Sequence, residues 1–116
     1  MKNPDGQLLH GNAETLVLSL IAENESYGYQ IRKRLAVRSH RYFQFGFGRL
    51  YPILHGLEQR RLVTARWGEA GRIRQRKNYR ITPTGRDALQ QRKDRWRQFA
   101  RAMALVLNRQ PRPANR

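Results

Sequence analysis

Two groups of residues in this sequence are suited to chemistry with a ligand. Arg72, Arg74 and Arg76 alternate along one stretch, and Arg49, Tyr51, His55 and Gln59 follow one another at near-helical intervals. Alternation places three guanidiniums on one side of an extended strand, where each planar fork can hold a phosphate through two hydrogen bonds. In the second group, Arg49 suits a phosphate or a guanine edge. Tyr51 can donate to a phosphate, and His55 and Gln59 can reach base edges. Other chemistries find little support. His10, His40 and His55 are isolated, and there is no cysteine. The acids Asp5, Glu14, Glu23, Glu25, Glu58, Glu69, Asp87 and Asp94 are scattered along the chain. No metal-ligand spacing, glycine-rich phosphate loop or nucleophile elbow occurs. The expectation is a protein that is not an enzyme and carries no metal or cofactor.

Charge points the same way. Lys and Arg number 24 against 8 Asp and Glu, a net charge of +16 in 116 residues. Such a chain repels itself unless a polyanion is near, and nucleic acid is the commonest one. Twenty of the 24 cations are arginine, which a GC-rich genome would also favour. The length predicts one small domain that completes its core by dimerising. The absence of cysteine suits a reducing cytoplasm. The apolar run 16–22 is too short to cross a membrane and lacks the flanks of a signal peptide.

The periodicity supplies the elements that hold these residues. A first helix is expected over about 12–23, with Asn12 as N-cap and Leu16, Val17, Leu20 and Ile21 at helical spacing. Ser26 is expected to cap a second helix over about 27–38, with Tyr27, Ile31 and Leu35 inward. Phe43, Phe45 and Phe47 lie in an irregular connection and are expected to pack beneath the fold, although a partner-facing patch is the alternative. A third helix follows over about 48–61. Its inward face is Leu50, Ile53, Leu54 and Leu57; its outward face is Gly48, Pro52, His55, Gly56 and Gln59, with Arg49 and Tyr51 beside it. Pro52 is placed in the first turn, where a missing N–H costs nothing, and the glycines leave room for close approach to a groove.

From residue 62 the period changes from helix to strand. A two-stranded hairpin is expected, with turn chemistry at 68–71. Its second strand has Arg72, Arg74, Arg76, Asn78 and Arg80 on one face and Ile73, Gln75, Lys77, Tyr79 and Ile81 on the other. Thr82 caps a last helix with Pro83 at its first position, running to about 107. Its stripe, Leu89, Trp96, Phe99, Met103 and Val106, is interrupted by Arg92 and suits packing between two subunits. Residues 109–116 form a basic, disordered tail. Three helices and a hairpin match the winged helix-turn-helix. The expected fold class is mainly α with a small β-hairpin. A DNA-binding unit occupies 8–82 and a dimerisation helix 83–108.

Four segments carry a family resemblance. They are Leu8-Leu9-His10-Gly11, Tyr27-Gly28-Tyr29-Gln30-Ile31, Gly48-Arg49-Leu50-Tyr51-Pro52-Ile53-Leu54 with Leu57-Glu58, and Arg76-Lys77-Asn78-Tyr79-Arg80-Ile81-Thr82-Pro83-Thr84-Gly85. In this order and spacing the chain resembles the PadR family of bacterial transcriptional regulators, in its short form with a single C-terminal helix. The resemblance implies a homodimer that binds a palindromic operator in double-stranded DNA through the third helix and the wing. It implies repression, often relieved by a small aromatic or hydrophobic effector. Some relatives hold planar drugs between the subunits on a tryptophan of the last helix. Trp96 is the position here that suits that part, with Phe99, Asn12 and Leu16 as further candidate effector contacts; the alternative is that Trp96 is a plain interface residue. The DNA-contacting set is Tyr29, Arg32, Gly48, Arg49, Tyr51, Pro52, His55, Gln59, Arg72, Arg74 and Arg76. Arg49 stands where the family usually has a small hydroxyl or alanine, and Asn78 replaces the first of a tyrosine pair. Two further readings remain open: an architectural DNA-coating protein with little sequence preference, and a basic RNA- or ribosome-associated protein.

Overall fold

A computed structural model of the protein describes residues 11–68 and 76–108. The expectations at residues 8–10, at residues 69–75, which hold most of the expected turn and the start of the expected second strand with Arg72 and Arg74, and at 109–116 lie outside the described residues. The elements run α1 (Ala13–Glu23), β1 (Ser26–Tyr27), α2 (Gly28–Arg38), α3 (Phe47–Gln59), β2 (Val63–Gly68), β3 (Arg76–Ile81) and α4 (Pro83–Leu107). The chain is mainly helical with a small antiparallel sheet, in the winged-helix arrangement.

The three short helices enclose one core because each has a single apolar face. Val17, Leu18, Leu20 and Ile21 of α1 meet Ile31 and Leu35 of α2 and Leu50, Leu54 and Leu57 of α3, all buried. Phe45 closes the core from the connection before α3 and Phe43 packs partly against it, while Phe47 is exposed. The expectation that all three phenylalanines lie beneath the fold therefore holds for two of them. Phe47 opens α3, and its side chain leaves the core along with the helix's outer face.

Among the described residues the sheet has three strands, not two. β3 pairs with β2 in the register Val63↔Ile81 through Gly68↔Arg76, and β1 adds to its other edge as Ser26↔Tyr79 and Tyr27↔Asn78. Ser26 is consequently not the cap of α2. It is buried in β1, where its hydroxyl donates to the Asn24 carbonyl at 2.7 Å and accepts from Arg34 at 3.0 Å. Tyr27 takes the cap position, its N–H donating to the Gln30 side chain at 3.1 Å. The alternation along β3 follows the sequence: Tyr79 and Ile81 face the core, and Arg76 and Arg80 face out.

The end of α3, the root of the wing and the start of α4 meet at Leu62. The Leu62 carbonyl accepts from the Thr82 N–H at 3.0 Å, and the Thr82 hydroxyl lies 2.8 Å from the Arg61 carbonyl and 3.0 Å from that of Leu62. That hydroxyl also accepts from the Gly85 N–H at 2.9 Å, the N-cap bond expected of Thr82 before Pro83. Gly85 lies hard against this junction. A Cβ there would come 2.0 Å from the Leu62 oxygen and 2.8 Å from Ile81. Arg61, just before, is held at φ 61°, a conformation few side chains adopt.

α4 spans 25 residues, about 37 Å. Its first turns bury Gly85 and Leu89 in the core described above, and the rest leaves the body of the protein. The radius of gyration is 17.8 Å, against about 13 Å for a compact chain of this length.

Gly85→Ala should be the costly glycine substitution of this fold. The methyl has no room, and the loss of stability should be about 2–3 kcal/mol despite alanine's better helix propensity. Gly48→Ala, where a Cβ meets nothing within 4 Å, should leave stability unchanged or slightly improved. Urea unfolding of both variants measures the contrast.

Candidate nucleic-acid interface

The rotation of α3 is set by its buried leucines. With Leu50, Leu54 and Leu57 wholly inside, Gly48, Arg49, Tyr51, Pro52, His55 and Gln59 are all exposed. Gly56 is not on this outward face. A Cβ at 56 would lie 3.4 Å from the Arg60 guanidinium and 3.6 Å from the Glu14 carboxylate, so the glycine looks toward α1. Pro52 also sits deeper in the helix than expected. α3 begins at Phe47, so Pro52 falls in the second turn, where a helix normally uses an N–H to bond the Gly48 carbonyl. Its missing donor is a real loss from the helix, carried on its most exposed side.

Aromatic rings preorganise the cations around this face. Phe47 stacks on Tyr51 with centroids 5.5 Å apart. The Arg32 guanidinium lies 4.9 Å over Phe47 while its Nε donates to the Phe45 carbonyl at 2.8 Å. Arg49 lies 5.3 Å over the buried Phe45 ring. Each contact restricts a long side chain that would otherwise have to be ordered on binding.

At the start of α2 a second group forms. Tyr51 packs on Gly28, where a Cβ would come 2.9 Å from its hydroxyl oxygen. The Arg76 guanidinium sits 4.4 Å over the Tyr27 ring and donates to the Tyr27 hydroxyl at 3.0 Å. Lys77 pairs with Glu58 of α3 at 3.3 Å, joining wing to helix. Tyr27, Tyr29, Phe47, Tyr51, Arg76 and Lys77 surround an open cleft of about 500 Å³ between α3, α2 and the wing. Among the expected DNA contacts, Tyr29, Tyr51 and Arg76 thus share one cleft. Arg32 and Arg49 flank it on the phenylalanine side, and His55 and Gln59 lie further along α3.

Sequence reasoning missed Tyr27 and Phe47, both of which it placed inward. The aromatic-glycine-aromatic order of Tyr27-Gly28-Tyr29 carried a signal, since a glycine opening a helix beside two rings leaves space for a third. The wing root also perturbs Tyr79. Burial first, then the nearby Glu58 carboxylate and Tyr51, push its hydroxyl from 10.0 up to about 12.

The residues expected at a subunit interface lie apart from this cleft. Trp96, Phe99, Met103 and Val106 are 52%, 64%, 43% and 75% exposed along α4. Leu89 differs from them: it is spent on the chain's own core, so the uncovered stripe starts at Trp96. Arg92, which breaks the stripe, donates to Glu14 at 3.1 Å. Asn12 and Leu16, the other expected effector contacts, are half-buried on α1. No helix among the described residues is long and apolar enough to cross a membrane.

A three-helix body with a wing, a solvent-facing third helix and a strongly basic chain define a winged-helix regulator of the DNA-binding class. Residues 17–91, more than half the chain, match the transcriptional regulator PadR-like family, and the chain belongs to that family. It is similar to a transcriptional regulator from Clostridium thermocellum (26% identity, 89% of this chain and 97% of that one, TM-score 0.81). It is also similar to a PadR family regulator from Eggerthella lenta (29% identity, 90% and 88% coverage, TM-score 0.77). An uncharacterized protein from Lysinibacillus sphaericus is 28% identical over 100 residues, 86% of this chain and 92% of that one.

Because folding raises the Tyr79 pKa, the folded state favours its protonated form. The associated stability is complete below pH 10 and is lost as pH rises toward about 12. In an alkaline absorbance titration Tyr79 should ionise near pH 12, and Tyr79→Phe should remove that step together with the matching fall in stability.

Proposed function

We propose that this protein is a sequence-specific, homodimeric transcriptional repressor of the cytoplasm, released from its operator by a small hydrophobic or aromatic molecule. One observation carries the DNA reading: the exposed face of α3 presents Gly48, Arg49, Tyr51, Pro52, His55 and Gln59 together beside the Arg76 cleft. In this reading Arg49, His55 and Gln59 contact base edges. Tyr29, Arg32, Tyr51 and the wing arginines Arg72, Arg74 and Arg76 hold the phosphates. Gly48 and Pro52 keep the helix face low enough to enter the groove. Residues 8–82 act as the DNA-binding unit and 83–108 as the dimerisation helix.

Support for the dimer comes from α4. Four large apolar side chains at helical spacing stand uncovered on a helix that projects from its own domain, and a second copy presents the same stripe in return. The effector then binds at Trp96 and Phe99, near Asn12 and Leu16, where an aromatic molecule finds apolar walls. Removal of Phe99 and Met103 as glutamates should convert the dimer into monomers by light scattering.

The operator is expected to be palindromic, with half-site centres about 34 Å or a multiple apart. In competition titrations against operator and scrambled duplexes, Arg49→Ala and Gln59→Ala should each lose discrimination. A lost bidentate arginine–guanine contact costs about 1–3 kcal/mol. His55→Ala should do less. Arg76→Ala should weaken binding to both duplexes alike and lower the salt slope, itself expected at about −5 to −9, by about one. A wild type with no preference would replace the repressor by an architectural DNA-coating protein.

A further inference from the structure

The carboxylate of Glu14, in the first turn of α1, is shared by two guanidiniums from different helices. Arg60, the residue that ends α3, bonds its Oε2. Arg92 of α4 donates to its Oε1 at 3.1 Å. Arg60 is also tied to its own helix, its Nε donating to the Gly56 carbonyl at 3.1 Å. Gly56 faces the same bridge, which leaves space for a methyl there but for little more. A glycine and an arginine that look misplaced in their helical patterns, Gly56 on α3 and Arg92 on α4, thus face one carboxylate.

The bridge lies where the elements meet. α3 and α4 each pack against α1. Trp96 lies one turn beyond Arg92, and Asn12 and Leu16 lie two positions either side of Glu14. We propose that Glu14 is a positioning residue for DNA recognition: its charge sets the angle between α3 and α4, and so the separation of the two recognition helices in the dimer. Without that charge, two guanidiniums on different helices face each other, and like charges at short range push apart. The Glu14 and Arg92 side chains are only 29% and 21% exposed, so water screens the pair less than it would a fully exposed one. A dimer reading half-sites at fixed spacing converts a changed helix angle into a lost register. This rests on the DNA-binding dimer proposed above.

The experiment uses the absence of native cysteine. Spin labels at Gln59→Cys and Gln98→Cys, diluted with unlabelled chain, report the α3–α4 geometry within one protomer of the free protein. Glu14→Gln and Arg92→Gln should each broaden the distance distribution about twofold, and the double variant should be no broader than either single. In operator titrations both variants should lose discrimination about fivefold or more. They should also accept a spacer one base pair longer, while binding random duplex as the wild type does. That spacing tolerance is a readout a merely stabilising ion pair would not move. Distributions as narrow as the parent's, additive broadening, or unchanged spacing preference would overturn the role of Glu14. A wild type lacking operator preference would sink the DNA reading instead, and the label distances would still decide whether Glu14 sets the helix angle.

Discussion

The carbonyl of Leu62 is where α3, the wing and α4 converge. It receives the Thr82 N–H, lies beside the Thr82 hydroxyl and presses on the bare Cα of Gly85. Three elements, α3, the wing and α4, are held within one turn of each other there. Backbone groups and one short hydroxyl make this junction, which fixes where the three elements meet; the Glu14 bridge acts further along, between α3 and the body of α4. Arg61 is forced into a left-handed backbone conformation immediately before it, and Gly85 accepts a contact no other residue could. Both oddities follow from closing the junction so tightly.

From that junction outward, the molecule separates its tasks by surface chemistry. The leucines of α3 decide which face is dry, and the remaining face is left polar, ring-lined and basic. Cations on this face do not wave freely. Arg32, Arg49 and Arg76 each rest on a ring. For a chain of +16, holding charge in place matters as much as having it, because loosely held charge attracts any polyanion equally. On α4 the opposite choice is made: its polar residues and arginines flank an apolar stripe that one copy of the chain leaves open.

Much of this was legible in the sequence wherever the signal is local and periodic. The spacing of Leu50, Leu54 and Leu57 oriented α3, the alternation through Tyr79 and Ile81 oriented the wing, and Thr82-Pro83 marked the start of α4 to the residue. What stayed hidden depends on partners far along the chain. Ser26 and Tyr27 form a strand of two residues, too short to show alternation, and its mate is Asn78-Tyr79. Ser26 therefore looked like a helix cap, which its type and position equally allow. Gly56 looked like a clearance for DNA because its true neighbour, Glu14, is 42 positions away. Leu89 fitted the interface stripe by spacing alone, since periodicity states that a face is buried but not against which body. Of the site, the sequence supplied the residue types and the helix face; the stacking of Arg32 on Phe47 and Arg76 on Tyr27 needed three dimensions.

The pairing of β1 with β3 bears on how the chain is made. Among the described residues Tyr79 is the largest fully buried side chain, and it enters the core from a strand that comes after all three short helices. Emerging from a ribosome, α1, α2 and α3 would precede the residue that fills their common centre. Ser26 and Tyr79 stand more than fifty positions apart, so their pairing closes a long loop and carries a larger entropy cost than the local contacts within the helices. Synthesis thus delivers this core in the order helix, helix, helix, strand, and its interior can be complete only once the wing has been made.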